Sequence, residues 1–157
     1  MPKTSQSRYL LDVNVLVALI ATTHVHHQLV KEWFNASPNL EWSICAFTEA
    51  GFVRTATAPR PGQLSMSEAT TVLAQLRQHP GYHYVPITAD WQTLCSPFFK
   101  RLYGTKQVTD AYLLGLALHE GWVLATLDKP ILHLAGEHKQ HVHLLEAQTA
   151  TNPTEAQ

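Results

Sequence analysis

Cysteine is scarce in this chain: Cys45 and Cys95 are the two it has, far apart and in apolar or mixed surroundings. That excludes a disulfide framework and a zinc knuckle, both of which need closely spaced sulfurs. Long apolar runs are lacking too. The longest, Val13 to Ala21, is interrupted by Asn14 and preceded by Asp12, well short of the roughly 20 residues that a bilayer span requires. Met1 to Arg8 is polar and has no apolar stretch of the kind that follows the charged start of a secretory signal. A cytoplasmic protein without a membrane anchor is expected. Charge of either sign is in short supply: the formal net charge is −1 with histidine neutral, and 15% of residues are charged. The broad basic field of a nonspecific nucleic-acid binder is therefore excluded, and any contact with RNA has to be local. Two short basic groups are available for that, Arg54 with Arg60 and Lys100, Arg101 with Lys106, and ordinary solvated surface explains such groups equally well.

What is present is core material. Hydrophobic residues make up 45% of 157 residues, enough for one domain that buries roughly two-thirds of its unfolded surface. A single domain over 1–157 is expected, its core at about 8–145 and its ends polar, with 148–157 frayed. Tyr9, Leu10 and Leu11 predict a short buried strand, and a helix follows Asn14. Leu29, Val30, Trp33 and Phe34 mark the apolar face of a helix from about His26 that stops near Ser37, before Pro38. Trp42 to Cys45 predicts a strand, and Phe47 to Thr57 a helix ended by Pro59 and the Pro61-Gly62 pair. Ser65 and Glu68 form a capping-box pattern for a helix that ends at about Gln78, and Tyr82 to Ile87 is the third strand. Asp90 to Tyr103 predicts irregular chain with helical pieces. Thr109 is placed to cap a helix from Asp110 to Glu120, stopped by Gly121, with Gly115 inside it for close packing. Trp122 to Thr126, a helical turn at Ile131 to Ala135 and a last strand, His141 to Leu145, complete the pattern. Brief hydrophobic strands alternating with helices predict an α/β fold with a parallel sheet covered on both faces.

The acids fall where such a sheet places its chemistry. Asp12 ends the first strand, Glu49 and Asp110 lie near helix starts, and Asp128 follows the strand that ends at Thr126. All four are expected at the carboxyl edge of the strands. Taken singly, Asp12 could cap a helix, Glu49 could face solvent, Asp110 could serve a helix dipole and Asp128 could be a turn residue. Taken together, carboxylates in apolar surroundings repel one another and cost several kcal/mol per ion to desolvate unless a cation offsets them. All-oxygen donors with no adjacent cysteine or histidine pair suit Mg²⁺ or Mn²⁺, which activate water and hold phosphate oxygens.

Leu10-Leu11-Asp12-Val13-Asn14-Val15-Leu16, Thr48-Glu49-Ala50 through Arg54, Thr109-Asp110-Ala111-Tyr112-Leu113 and Thr126-Leu127-Asp128-Lys129 resemble, in order and rough spacing, the four acidic motifs of PIN-domain proteins. More narrowly, residues 8 to 145 look like a VapC-type toxin of a bacterial toxin-antitoxin pair, and His24-Val25-His26-His27 leading to Trp33 is similar to that group as well. The resemblance implies a three-layer α/β/α sandwich, with Asp12, Glu49, Asp110 and Asp128 binding one or two Mg²⁺ or Mn²⁺ ions. Asn14 and Thr126 match supporting polar positions, although a helix cap and a strand-end hydroxyl explain them equally well. Arg54 could pair with an acid of the cluster, contact a phosphate or form an ordinary ion pair. The family implies endonucleolytic RNA cleavage by water, leaving a 3′-hydroxyl and a 5′-phosphate, together with a cognate antitoxin and a homodimer.

Three other readings compete. A haloacid-dehalogenase-type phosphatase needs a second aspartate two residues after the first, where this chain has Asn14. A PIN nuclease of RNA maturation shares the acids, and a non-catalytic RNA-binding or antitoxin-like module gains nothing from repelling carboxylates. Two histidine groups, His24, His26 and His27, and His138, His141 and His143, invite a zinc reading, against which an exposed edge strand accounts for the second.

Overall fold

The computed structural model describes residues 6–147; the expectation of a frayed 148–157 lies outside them. The elements run β1 (Arg8–Leu11), α1 (Val13–Ile20), α2 (His27–Asn35), β2 (Glu41–Ile44), α3 (Ala46–Ala56), α4 (Met66–Leu76), β3 (Tyr82–Tyr84), α5 (Trp91–Cys95), a 3-10 segment (Ser96–Arg101), α6 (Gln107–Glu120), β4 (Val123–Thr126), α7 (Ile131–Ala135), a second 3-10 segment (Gly136–His141) and β5 (Val142–Leu144). The strands form one parallel sheet in the order β3-β2-β1-β4-β5.

Alternation along the strands sorts the core into two layers. Leu10 and its register partner Leu124 face a cluster built from α5, α6 and α7, with Leu94, Phe98, Leu113 and Leu116. Leu11 and its partner Ala125 face the other cluster, built from α1 to α4, with Val15, Val30, Trp42 and Phe52. This is the expected three-layer α/β/α sandwich, and strands buried on both faces explain why the sequence shows continuous apolar runs there.

Several local rules act as the sequence predicts. Ser65 Oγ accepts from the Glu68 N–H (3.1 Å), and the Glu68 carboxylate accepts from the Ser65 N–H (2.7 Å), completing the capping box of α4. Gly121 ends α6 in the left-handed conformation, φ +72°. A Cβ at Gly115 would run into the Leu94 carbonyl oxygen, so α5 and α6 touch through backbone. Between Asp90 and Tyr103 the helical pieces are α5 and the first 3-10 segment.

Several boundaries differ by a residue or more. The first helix starts at Val13, with Asp12 as its cap, so Asn14 lies inside it. The sixth helix starts at Gln107 rather than Asp110, because the Gln107 side chain accepts from the Tyr103 N–H (2.8 Å) and sets the first turn; Thr109 is thus inside the helix and not its cap. The third strand ends at Tyr84, although the Val85 N–H still reaches the Ile44 carbonyl (3.0 Å) before Pro86 ends the pairing. Among the described residues no helix is long and apolar enough to cross a membrane.

Candidate active site

The chain winds outward from β1 through β2 to β3, then returns to the other side of β1 as β4. Between β1 and β4 the winding reverses, and the crevice beyond their carboxyl ends is where an open parallel sheet takes its ligands. Asp12 and Asp128 emerge there, from the two strands that flank the reversal.

Asp12 is buried, at 5% exposure. Its N–H extends the sheet to the Ala125 carbonyl (3.0 Å), while Oδ1 accepts from the Val13 N–H (2.7 Å) and Oδ2 from the Thr126 hydroxyl (2.7 Å). Burial raises its carboxyl above the ordinary value, Asp128 adds to the rise, and the two hydrogen bonds oppose it. Thr126 is fully buried and uses both hydroxyl functions, because its Oγ also accepts from the Asp128 N–H (3.0 Å). One side chain at the end of β4 thus fixes both Asp12 and the backbone of Asp128. Asn14 adds a second tie across the crevice: its Oδ1 accepts from the Leu127 N–H (3.4 Å).

Asp110 comes from the first turn of α6. Burial first, then the charges of Asp12 and Asp128 and a hydrogen bond with Asp128, push its carboxyl up to about 7. These causes place all three aspartates within electrostatic reach of one another, and no ion pair reaches any of them among the described residues. A small pocket of about 310 Å³ opens here, lined by Asp12, Val13, Asn14, Val17, His24, Thr55 and Asp110.

The structure does not bring Glu49 to this group. Its carboxylate lies 3.6 Å from Arg77 and acts on Tyr82; Glu49 Oε1 and the Tyr82 hydroxyl are both buried without a hydrogen-bond partner among the described residues. The reason is helical phase. Thr48 donates its buried hydroxyl to the Leu11 carbonyl (3.0 Å), pinning α3 beside the end of β1. At about 100° per residue, Gly51 and Thr55 share one face of α3 and Glu49 lies about 200° from Gly51. Gly51 packs on the Val13 side chain, where a Cβ would sit 2.5 Å from Cγ2, and Thr55 lines the pocket. Arg54 is exposed, with no ion pair among the described residues.

The other sequence candidates resolve into packing. Arg101 donates to the Leu134 carbonyl (3.0 Å) and the Ala135 carbonyl (3.5 Å) at the end of α7, leaving Lys100 and Lys106 exposed. His27 and His141 bond the carbonyls of Ala18 (2.8 Å) and Trp122 (3.0 Å), and His143 stacks on Trp33. His24 lies apart from these, in the wall of the aspartate pocket. The sequence carried a hint of it in the histidine group after α1, without saying which member faces the acids.

Asp12, Asp110 and Asp128 are hard oxygen donors with unoffset charge, which fits a hard divalent cation. Among the described residues no three His, Cys, Asp or Glu side chains form a ready-made metal cage. Mg²⁺ is commonly held by one or two carboxylates with waters and substrate phosphates rather than by a full protein cage.

The chain matches the family model of the PIN domain over residues 9–137. It is 42% identical over 139 residues to Ribonuclease VapC38 of Mycobacterium tuberculosis (strain ATCC 25618 / H37Rv), covering 87% of this chain and 96% of that one. To Ribonuclease VapC44 of Mycobacterium tuberculosis (strain CDC 1551 / Oshkosh) it is 38% identical over 147 residues, covering 88% and 99%. Among solved structures the fold is similar to Mycobacterium tuberculosis VapC20, described as a sarcin-ricin loop cleaving toxin, with a TM-score of 0.60 at 15% identity over 82% of this chain and 95% of that one. It is also similar to VapBC2 from Rickettsia felis bound to a DNA fragment from its promoter, with a TM-score of 0.54 at 13% identity over 87% and 96%. With the fold, the crevice and the sequence in agreement, the chain belongs to the PIN domain family, in its VapC branch.

Proposed function

We propose that this protein is an endoribonuclease dependent on Mg²⁺ or Mn²⁺ and is the toxin of a type II toxin-antitoxin pair, held inactive by a cognate antitoxin and assembled as a homodimer. The observation that carries the reading is the meeting of Asp12, Asp110 and Asp128 at the sheet's reversal, with no ion pair to offset them among the described residues. The names of the relatives, ribonucleases of the VapC series, support the substrate class, and the Rickettsia neighbour, a VapBC pair, supports a protein partner.

Asp12 and Asp110 would hold the cation, with Asp128 beside them. A bound divalent ion supplies charge neutralisation at the phosphate and an activated water. The chain's own groups do the rest. Thr126 fixes Asp12 Oδ2 and the Asp128 backbone, so the acids keep their geometry as charge builds. Asp110, with its carboxyl at about 7, is partly protonated near neutrality in the metal-free chain, and a bound cation would favour its ionised form. Water attacks the phosphorus, the bond to the 3′-oxygen breaks, and the products are a 3′-hydroxyl and a 5′-phosphate.

Purified protein incubated with total RNA and Mg²⁺ or Mn²⁺ tests this. Cleavage is expected, together with its loss on chelation and in Asp12→Asn or Asp110→Asn. Equal cleavage by both variants and the parent, or none by the parent, would refute it.

A further inference from the structure

RNA has to bring phosphates to a pocket walled by carboxylates, and a chain of net charge −1 offers no general attraction. Two side chains, one in the pocket wall and one beside it, answer this locally. His24, in the turn between α1 and α2, lines the pocket with Asp12, Asn14, Thr55 and Asp110. Its Nδ1 accepts from the His26 backbone N–H (3.1 Å), which requires the neutral ring to carry its proton on Nε2. No hydrogen bond uses that Nε2–H among the described residues. Partial burial first, then His26, Arg60 and His27, lower the ring's pKa, in keeping with the neutral ring that an accepting Nδ1 requires. Arg60 is exposed and close enough to act on His24. It borders the adjoining groove with Pro61 and Gly62, and Val17 is common to that groove and the pocket.

We propose that His24 and Arg60 form a phosphate-gripping rim on the aspartate pocket: His24 Nε2 donates to a non-bridging oxygen of the RNA phosphate entering the pocket, and Arg60 pairs with a neighbouring phosphate. The inference deepens the ribonuclease reading and rests on it. The two groups divide the work, a short neutral donor beside the acids and a cation further out. A second full positive charge at His24 would compete with the metal for the same carboxylates; a neutral N–H does not.

The test measures binding of an end-labelled randomised 20-nucleotide RNA pool in an Asp110→Asn background with Mg²⁺, across salt concentrations at pH 8, and cleavage kinetics on total RNA in the parent background. Loss of one hydrogen bond to a charged oxygen costs about tenfold in affinity. His24→Ala is expected to weaken binding by about that factor at every salt concentration, leaving the salt slope unchanged and raising KM more than it lowers kcat. His24→Gln, whose amide nitrogen replaces Nε2, recovers most of the loss, which a merely structural role would not allow. Arg60→Gln weakens binding most at low salt and flattens the slope by about 0.7, as expected for one phosphate contact on single-stranded RNA. Parent-like affinity and KM in both His24→Ala and Arg60→Gln overturn the rim while the ribonuclease reading stands. A parent that neither binds nor cleaves RNA overturns both, and that is seen before any variant is made.

Discussion

Two acidic sites sit close to the same edge of the sheet, and they have been treated differently. At the β1–β4 reversal, Asp12, Asp110 and Asp128 face one another with no cationic side chain paired to them among the described residues, and the Asp110 carboxyl rises to about 7. On the opposite face of α3, Glu49 has Arg77 at 3.6 Å. An acid with a built-in cation is already offset and has little to offer an ion from solution. Acids left without one hold a standing electrostatic cost that an external cation relieves. The contrast also shows that a carboxylate's place in the sequence does not decide its role; the company kept by its side chain does.

The sharpest way to break the contrast is to neutralise one acid from each site. Asp110→Asn should lower RNA cleavage by about a thousandfold or more, the scale of removing a group that stabilises transition-state charge. Glu49→Gln should cost no more than about threefold, and parallel initial rates with total RNA decide between them. Equal losses would mean that Glu49 reaches the reaction after all. Thr126→Val removes the hydroxyl that orients Asp12 and Asp128, and about a tenfold to hundredfold loss of activity is expected from such an outer partner. Its fold should persist by circular dichroism.

A third comparison uses pH. Asp110 in the folded, metal-free chain binds its proton more tightly than in the unfolded chain, where the ordinary value is 3.8. The folded state therefore holds the extra proton between about pH 4 and pH 7, and the stability this group allows falls as pH rises through that window, then levels off. Melting of parent and Asp110→Asn from pH 4 to pH 8 with chelator should diverge in favour of the variant as pH rises. Profiles that stay parallel would remove the electrostatic premise. The smallest effect expected is at Gly51. There Gly51→Ala would place a Cβ 2.5 Å from Val13 Cγ2, so the Val13 side chain must move aside, and should cost about 1 kcal/mol in denaturant unfolding, with a modest loss of activity because Val13 adjoins Asp12.

Much of this was readable in the residues. Leu10, Leu11, Leu124 and Ala125 announce buried strands because parallel sheets bury both faces, and Asp12 and Asp128 follow those strands within two residues, so their position depends on little beyond strand ends. Asp110 survives an error of three residues in the helix start, because it stays within the first turn either way. Glu49 does not have that tolerance. Which face of α3 looks toward Asp12 depends on Thr48 bonding Leu11 and Gly51 seating on Val13, contacts across more than thirty residues of chain. His24 was hidden for a related reason: three histidines within four positions are indistinguishable until the turn after α1 assigns one to the Ala18 carbonyl and another to the pocket.

The amide of Asp12 has a consequence of its own. It bonds the Ala125 carbonyl between the two innermost strands, so its hydrogen exchanges with solvent when those strand ends part. A residue of the proposed reaction centre thus carries a local probe of its own strand ends. Whatever slows its isotope exchange, be it an ion, a nucleic acid or a protein partner, reports that it holds those ends together where the chemistry is expected.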